Sequence, residues 1–359
     1  MDGKISMQEN NYHEMMKIKN IEKLRRMQKE LPSFCTIFFR GISDQVSTRT
    51  MVAYAYDLQI FFHYIIHHIL EDESMQISQL TLEHLKKITK FELEDYMEYL
   101  SYYEGEDGTI HTNDERGKGR KLSSLKTLYN YFYEAELLPN NPASIVHVPK
   151  YHEKEIIRLE PNEVAKLLDI VENGSVQTSK KQKEFHRITR DRDLCLLTLL
   201  LGTGIRVSEC VGLNISDVNF DNNAIRIVRK GGNEAVVYFG DEVEDALRLY
   251  LKNRREIIPL DGHEDALFLS MQNRRITVRA VENLVKKYAS QVTTLKKITP
   301  HKLRSTYGTE LYKESGDIYL VASVLGHKDV NTTRKHYANM DEDRKRRAAN
   351  IVKLRESKN

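Results

Sequence analysis

Three cysteines in 359 residues, Cys35, Cys195 and Cys210, are an odd number without the short spacing of metal ligands. That argues against a disulfide framework and against a zinc site. No apolar run approaches the ~20 residues needed to cross a bilayer. Residues 1–30 are polar and charged, without the apolar core of a signal peptide. The expectation is a cytoplasmic protein with no membrane partner. An excess of one charge is also missing: 55 Lys and Arg against 52 Asp and Glu leave a net charge of +3. The global balance is too even to indicate a nucleic-acid partner, and only local basic clusters could do so. What is present suffices for a core, because 40% hydrophobic and 30% charged residues in a chain of this length predict a globular protein of two domains.

In chain order, residues 1–30 read as a charged helical extension, with Ile18, Ile21, Leu24 and Met27 at helical intervals. Ser47-Thr48-Arg49-Thr50 can cap a helix on which Met51, Tyr54, Leu58, Phe61, Phe62 and Ile65 recur at threes and fours. A second helix is expected from near Thr89 and a third from Ser123 through Phe132. The stretch Glu104–Lys121 between them, rich in glycine and charge, reads as a loop. Its basic end, Arg116, Lys118, Arg120 and Lys121, suits a solvated turn or a phosphate contact equally well. Asn141-Pro142-Ala143 and Val148-Pro149-Lys150 break any helix and place an interdomain linker over 147–159.

The second domain opens at Glu160-Pro161-Asn162-Glu163, with proline at a first helical position. Glu172–Thr189 reads as an exposed polar insertion. Leu194–Leu201 is a buried helix stopped by Gly202 and Gly204, and Arg206 opens the next helix. Ala224–Val228 and Ala235–Phe239 flank Lys230-Gly231-Gly232-Asn233 as a β-hairpin, which puts Lys230 at the end of its first strand. Helices near 241–257 and 277–291 follow.

The last sixty residues carry the densest chemistry. Pro300 sits where a helix should begin, and His301 and Arg304, three positions apart, share one face and can converge on a small anion. From Asp317, the residues Ile318, Leu320, Val321, Val324 and Leu325 form an apolar stripe that Gly326 ends. His327 is thereby placed at a junction. Asn331 or Thr332 can cap a further helix with Tyr337 about two turns on. Arginine, histidine and tyrosine brought to one region suit phosphate chemistry with a tyrosine nucleophile.

The order Arg206, Lys230, His301-x-x-Arg304, Gly326-His327 and Tyr337 resembles the tyrosine recombinase family, which includes the phage integrases and the Xer recombinases. The resemblance extends to Thr203-Gly204-Ile205-Arg206-Val207-Ser208-Glu209, Val211-Gly212-Leu213, Leu325-Gly326-His327-Lys328-Asp329 and Thr332-Thr333. In the front half it rests on the helix from Thr48 to Phe62 and on Asn141-Pro142-Ala143. It implies a mainly α fold with a small β-sheet, in which a helical, SAM-like core-binding domain at 31–146 and a catalytic domain at 160–359 form a C-shaped clamp on double-stranded DNA. The end of the chain would dock on a neighbouring protomer. Two positions depart from common family patterns: Ala338-Asn339 follows Tyr337 where a polar residue and a histidine are frequent, and Ser305 follows Arg304 where histidine is frequent.

Breaking a DNA phosphodiester without water or metal needs a nucleophile, charge stabilisation on the non-bridging oxygens and a proton for the leaving sugar oxygen. Tyr337 would attack phosphorus and form a covalent 3′-phosphotyrosine, so that neither a nucleotide cofactor nor a metal is needed. Arg206 and Arg304 suit the phosphate clamp, because a guanidinium stays charged and presents forked donors. Lys230, as the family implies, would protonate the leaving 5′ oxygen. His301 could take the tyrosine proton or bond the phosphate, His327 would be a further donor, and Glu209, three residues after Arg206, would orient the site. Taken singly, Arg206 reads as well as a surface salt bridge and Lys230 as a solvated hairpin residue. Only the full ordered set decides between the readings.

The family further implies a homotetramer on paired inverted-repeat sites and strand exchange through a Holliday junction, serving integration, excision, inversion or dimer resolution. A partner recombinase or directionality factor is a further expectation. The rival readings are a type IB topoisomerase, against which the core-binding half speaks, and a catalytically silent DNA-binding protein, which would have no need of all six polar residues.

Overall fold

A computed structural model describes residues 12–105, 107–148, 157–174, 179–229, 232–327 and 329–330. The chain divides into two units, Met1–Lys154 and Glu155–Asn359.

The first unit is helical, with α1 (Tyr12–Met27), α2 (Phe34–Gly41), α3 (Thr48–Tyr64), α4 (Leu82–Lys86), α5 (Lys90–Tyr99), α6 (Glu115–Glu134) and α7 (Pro142–Ile145). Ser47 caps α3 by accepting the Thr50 amide N–H at 3.2 Å, and Thr89 caps α5, where Glu92 accepts the Thr89 amide at 2.9 Å. The apolar faces of α2, α3, α5 and α6 meet in one core that includes Phe34, Phe38, Phe61, Phe62, Tyr96 and Phe132. Phe34 stands edge-on to both Phe62 and Phe132, the arrangement that ring quadrupoles favour. The helix α1 packs on α3 and adds Leu24 to this core.

The stretch 104–121 is a loop only in part. Strands β1 (Tyr102–Glu104) and β2 (Ile110–Thr112) pair antiparallel, and α6 starts at Glu115 rather than Ser123. Asp114 caps it by accepting the Gly117 N–H at 2.9 Å. One turn on, Arg120 makes a bidentate bridge to Asp57 of α3, with Nη2 to Oδ1 at 2.6 Å, and Lys121 donates to Asn113 at 2.9 Å. These anchors outweigh the poor helix propensity of Gly117 and Gly119. Burial pushes the Asp57 carboxyl up from its ordinary range while Arg120 draws it back.

The second unit is built on one long helix. It contains α8 (Pro161–Asn173), α9 (Lys180–Thr203), α10 (Val207–Gly212), the strands β3 (Val218–Asn219), β4 (Ala224–Val228) and β5 (Glu234–Tyr238), then α11 (Asp241–Arg254), α12 (Val278–Ala289), α13 (Pro300–Ser315) and α14 (Ile318–Leu325). The helix α9 packs against α8, α11 and α13, with Cys195, Leu196, Leu197, Leu199 and Leu200 fully buried. Residues 180–189, expected in an exposed insertion, are instead its first turns. Ser179 caps them by accepting the Gln182 N–H at 3.3 Å, and Thr189 is already buried. The strands form one antiparallel sheet in the order β3-β4-β5, with Ile225 opposite Val237, as the hairpin pattern predicts. All three cysteines are buried free thiols. Among the described residues no helix is long and apolar enough to cross a membrane.

Candidate active site

Four elements of the second unit meet at the last turn of α14. Asp317 starts this helix by accepting the amides of Tyr319 and Leu320 at 2.8 and 3.1 Å. Gly326 ends it in the left-handed conformation, at φ +61°. The His327 amide then reaches back to the Ala322 carbonyl at 2.9 Å, the six-to-one bond of a Schellman cap. A helix end still leaves its last carbonyls without intrahelical donors, and here arginines take three in succession. Arg229, just past β4, donates Nη2 to Val324 O at 3.1 Å. Arg304 of α13 donates Nη2 to Leu325 O, and Arg206 donates Nη2 to Gly326 O at a long 3.5 Å. The negative end of the helix dipole favours such cations.

Arg206 and Arg304 are held by more than this turn. Arg206 is the N-cap of α10. Its amide donates to Glu209 Oε2 at 2.7 Å and its Nη1 to Glu209 Oε1 at 2.9 Å, so the buried Glu209 fixes both the backbone and the guanidinium. Arg304 is 5% exposed and donates Nη1 at 2.6 Å to the carbonyl of Gly204. Gly204 is the left-handed cap of α9, where a Cβ would run into the Tyr307 ring. These two anchors are neutral carbonyls, and they orient the Arg304 guanidinium. Among the described residues, three guanidinium groups and one carboxylate, Glu209, sum to +2 at this spot (+3 − 1), a local excess that the single negative charge of a phosphodiester would offset in part.

The structure thus brings Arg206 and Arg304 to one turn, with Gly326-His327 in the turn itself. His301 stands at the exposed start of α13, one turn before Arg304 and on the same face. Lys230 and Tyr337 lie outside the described residues, as does the helix expected after Asn331. Glu209 sits where the sequence puts it, as the partner of Arg206. Arg229 is a residue that sequence reasoning missed. Its only signal there is adjacency to Lys230.

Against this geometry, comparison with known proteins is direct. Residues 158–344 match the phage integrase family. The chain is 31% identical to tyrosine recombinase XerC of Caldanaerobacter subterraneus over 85% of its own length and 81% of that protein. It is 28% identical to tyrosine recombinase XerS of Streptococcus thermophilus over 92% and 98%. Among solved structures it is similar in fold to XerH site-specific recombinase bound to a palindromic difH substrate, with a TM-score of 0.63 at 22% identity, covering 86% of this chain and 81% of that one. It is also similar to the Tn1549 transposon integrase in complex with circular intermediate DNA, with a TM-score of 0.60 at 20% identity over 84% and 94%. The chain belongs to the phage integrase family, the tyrosine-type site-specific DNA recombinases. Within that family, the relatives it matches along most of its length include Xer recombinases.

Proposed function

We propose that the chain cuts and rejoins DNA strands at specific sites by transesterification at phosphorus, with Arg206, Lys230, His301, Arg304, His327 and Tyr337 as its working residues. Tyr337 Oη forms a bond to the scissile phosphorus as the bond to O5′ breaks, and the proton lost by the phenol passes to His301. The leaving O5′ takes a proton from the Lys230 ammonium. Arg206 and Arg304 stabilise the charge on the non-bridging oxygens, with His327 as a further donor. The bond energy is conserved in a 3′-phosphotyrosine, and religation to another strand reverses the same steps. Both units would bind duplex DNA carrying paired inverted repeats, as a homotetramer that passes through a Holliday junction, with a partner recombinase or directionality factor where the site demands one.

The observation that supports this reading most is the convergence of Arg206 and Arg304, from separate helices, on the turn that carries Gly326 and His327. A covalent-trapping assay tests it: purified full-length protein is incubated with nicked duplexes tiled from the DNA flanking its gene and scored for an adduct that survives denaturation. The expected result is an adduct on a duplex with inverted repeats, absent for Tyr337→Phe. An adduct that persists in that variant would give the nucleophilic role to another tyrosine. Relaxation of any supercoiled plasmid without site preference would favour a type IB topoisomerase.

A further inference from the structure

The hairpin that leads to Lys230 ends in a second basic residue with no part in the chemistry above. Arg229 closes the hairpin through its amide, which donates to Asn233 O at 2.8 Å. Its side chain leaves the sheet, donates to Val324 O at 3.1 Å, and lies so close over Gly326 that a Cβ there would collide with the guanidinium. Its Nε is buried and has no acceptor among the described residues. Buried polar groups are seldom left in that state without a reason.

We propose that Arg229 is a positioning residue: it straps the end of β4, and with it the adjoining Lys230, to the C-terminal turn of α14 that Arg206 and Arg304 also grip. A lysine ammonium on four methylenes is a poorly directed acid by itself. Consecutive Cα atoms are only about 3.8 Å apart, so anchoring residue 229 removes most of the freedom of the backbone that carries residue 230. The same strap ties the position of the proton donor to that of the phosphate clamp, since both are referred to one turn. The inference rests on the reading of Lys230 as the acid that protonates O5′.

The test uses full-length protein and a nicked duplex of its own site, made with either oxygen or sulfur at the bridging 5′ position of the scissile phosphate. In both substrates Tyr337 Oη bonds to phosphorus as the bridging bond breaks. An O5′ leaving group needs a proton, whereas a 5′ thiolate departs without one because thiols are far more acidic than alcohols. Arg229→Ala is expected to slow single-turnover cleavage of the oxygen substrate about 10- to 100-fold and to cleave the sulfur substrate near the wild-type rate. Lys230→Ala should show the same contrast. The double variant should be no slower than Lys230→Ala alone, as for residues acting through one step.

Arg229→Lys, which keeps the charge and one donor, should fall between wild type and alanine, and it serves if the alanine variant fails to fold in a thermal melt. Equal slowing on both substrates, or no slowing on either, would overturn the inference while leaving Lys230 in place. If Lys230→Ala gains nothing from sulfur, the assignment of the acid itself fails, and the positioning role falls with it.

Discussion

Replacing Gly326 by alanine probes the turn on which the site is assembled. Two costs follow from the structure. A Cβ in the left-handed region costs an L-residue roughly 1–2 kcal/mol, and Gly326 holds φ +61°. The Cβ would also displace the Arg229 guanidinium, and the hydrogen bond of a charged donor to Val324 O, worth ~1.5–3 kcal/mol where fully buried, would be lost in part because Arg229 is half-buried. Together they predict a loss of about 2–4 kcal/mol, which lowers the melting temperature of a unit this size by roughly 6–12 °C. The assay is thermal melting followed by circular dichroism, with Gly326→Asn alongside. Asparagine tolerates the left-handed conformation but brings the same Cβ, so it should lose only the collision term. Repeating Gly326→Ala in an Arg229→Ala background closes a double-mutant cycle, and the collision predicts a coupling above ~1 kcal/mol. Additive effects within about 0.5 kcal/mol would show that the guanidinium does not lie on Gly326, and the account of the turn would be wrong.

Three further outcomes follow from other parts of the chain. Glu209→Ala, which frees the Arg206 guanidinium and amide from their shared carboxylate, should cut the rate of adduct formation about 10- to 100-fold with little change in DNA affinity. Glu209→Gln, which keeps one acceptor, should lose less. Arg120→Ala should destabilise the first unit by about 3 kcal/mol at pH 7 in denaturant titration, because it strands the buried Asp57 carboxylate; Asp57→Asn should cost much less, since Arg120 is 51% exposed and can turn to water. The folded Asp57 carboxyl titrates above its ordinary range, so the Arg120→Ala penalty should shrink as the pH falls toward about 4 and the carboxyl takes up a proton. Burial raises all three thiols. They should resist a maleimide in the native state and react on unfolding, and their contribution to stability should be intact below about pH 8.5 and decline above it, as the unfolded thiols ionise and the buried ones do not.

The elements legible in the sequence are those whose boundaries are set by neighbouring residues. Ser47, Thr89, Glu160-Pro161, Asp317 and Gly326 start or stop helices through bonds spanning a few positions, and all five do so in the structure. The starts of α6 and α9 were not legible, because their first turns are polar and basic with no apolar stripe to give a period. Asp114 caps the start of α6, but the anchor that helps hold its glycine-containing first turns is Asp57, far back on α3. A helix held by a distant carboxylate looks, along the chain, like a charged loop.

The same distinction runs through the site. The six proposed working residues stand in a readable order along the chain, and two of their patterns, His301-x-x-Arg304 and Gly326-His327, have a local geometry that follows from a helical face or a cap. Arg229 has no such pattern. Its role depends on a carbonyl 95 residues further on and on the absence of a side chain at Gly326. Gly326 is thus used twice: its left-handed backbone ends α14, and its missing Cβ admits the guanidinium. Only the first use is visible in the sequence, as a glycine ending an apolar stripe. The second appears only when the two surfaces meet, and it makes glycine, rather than asparagine or any other left-handed cap, the residue this turn requires.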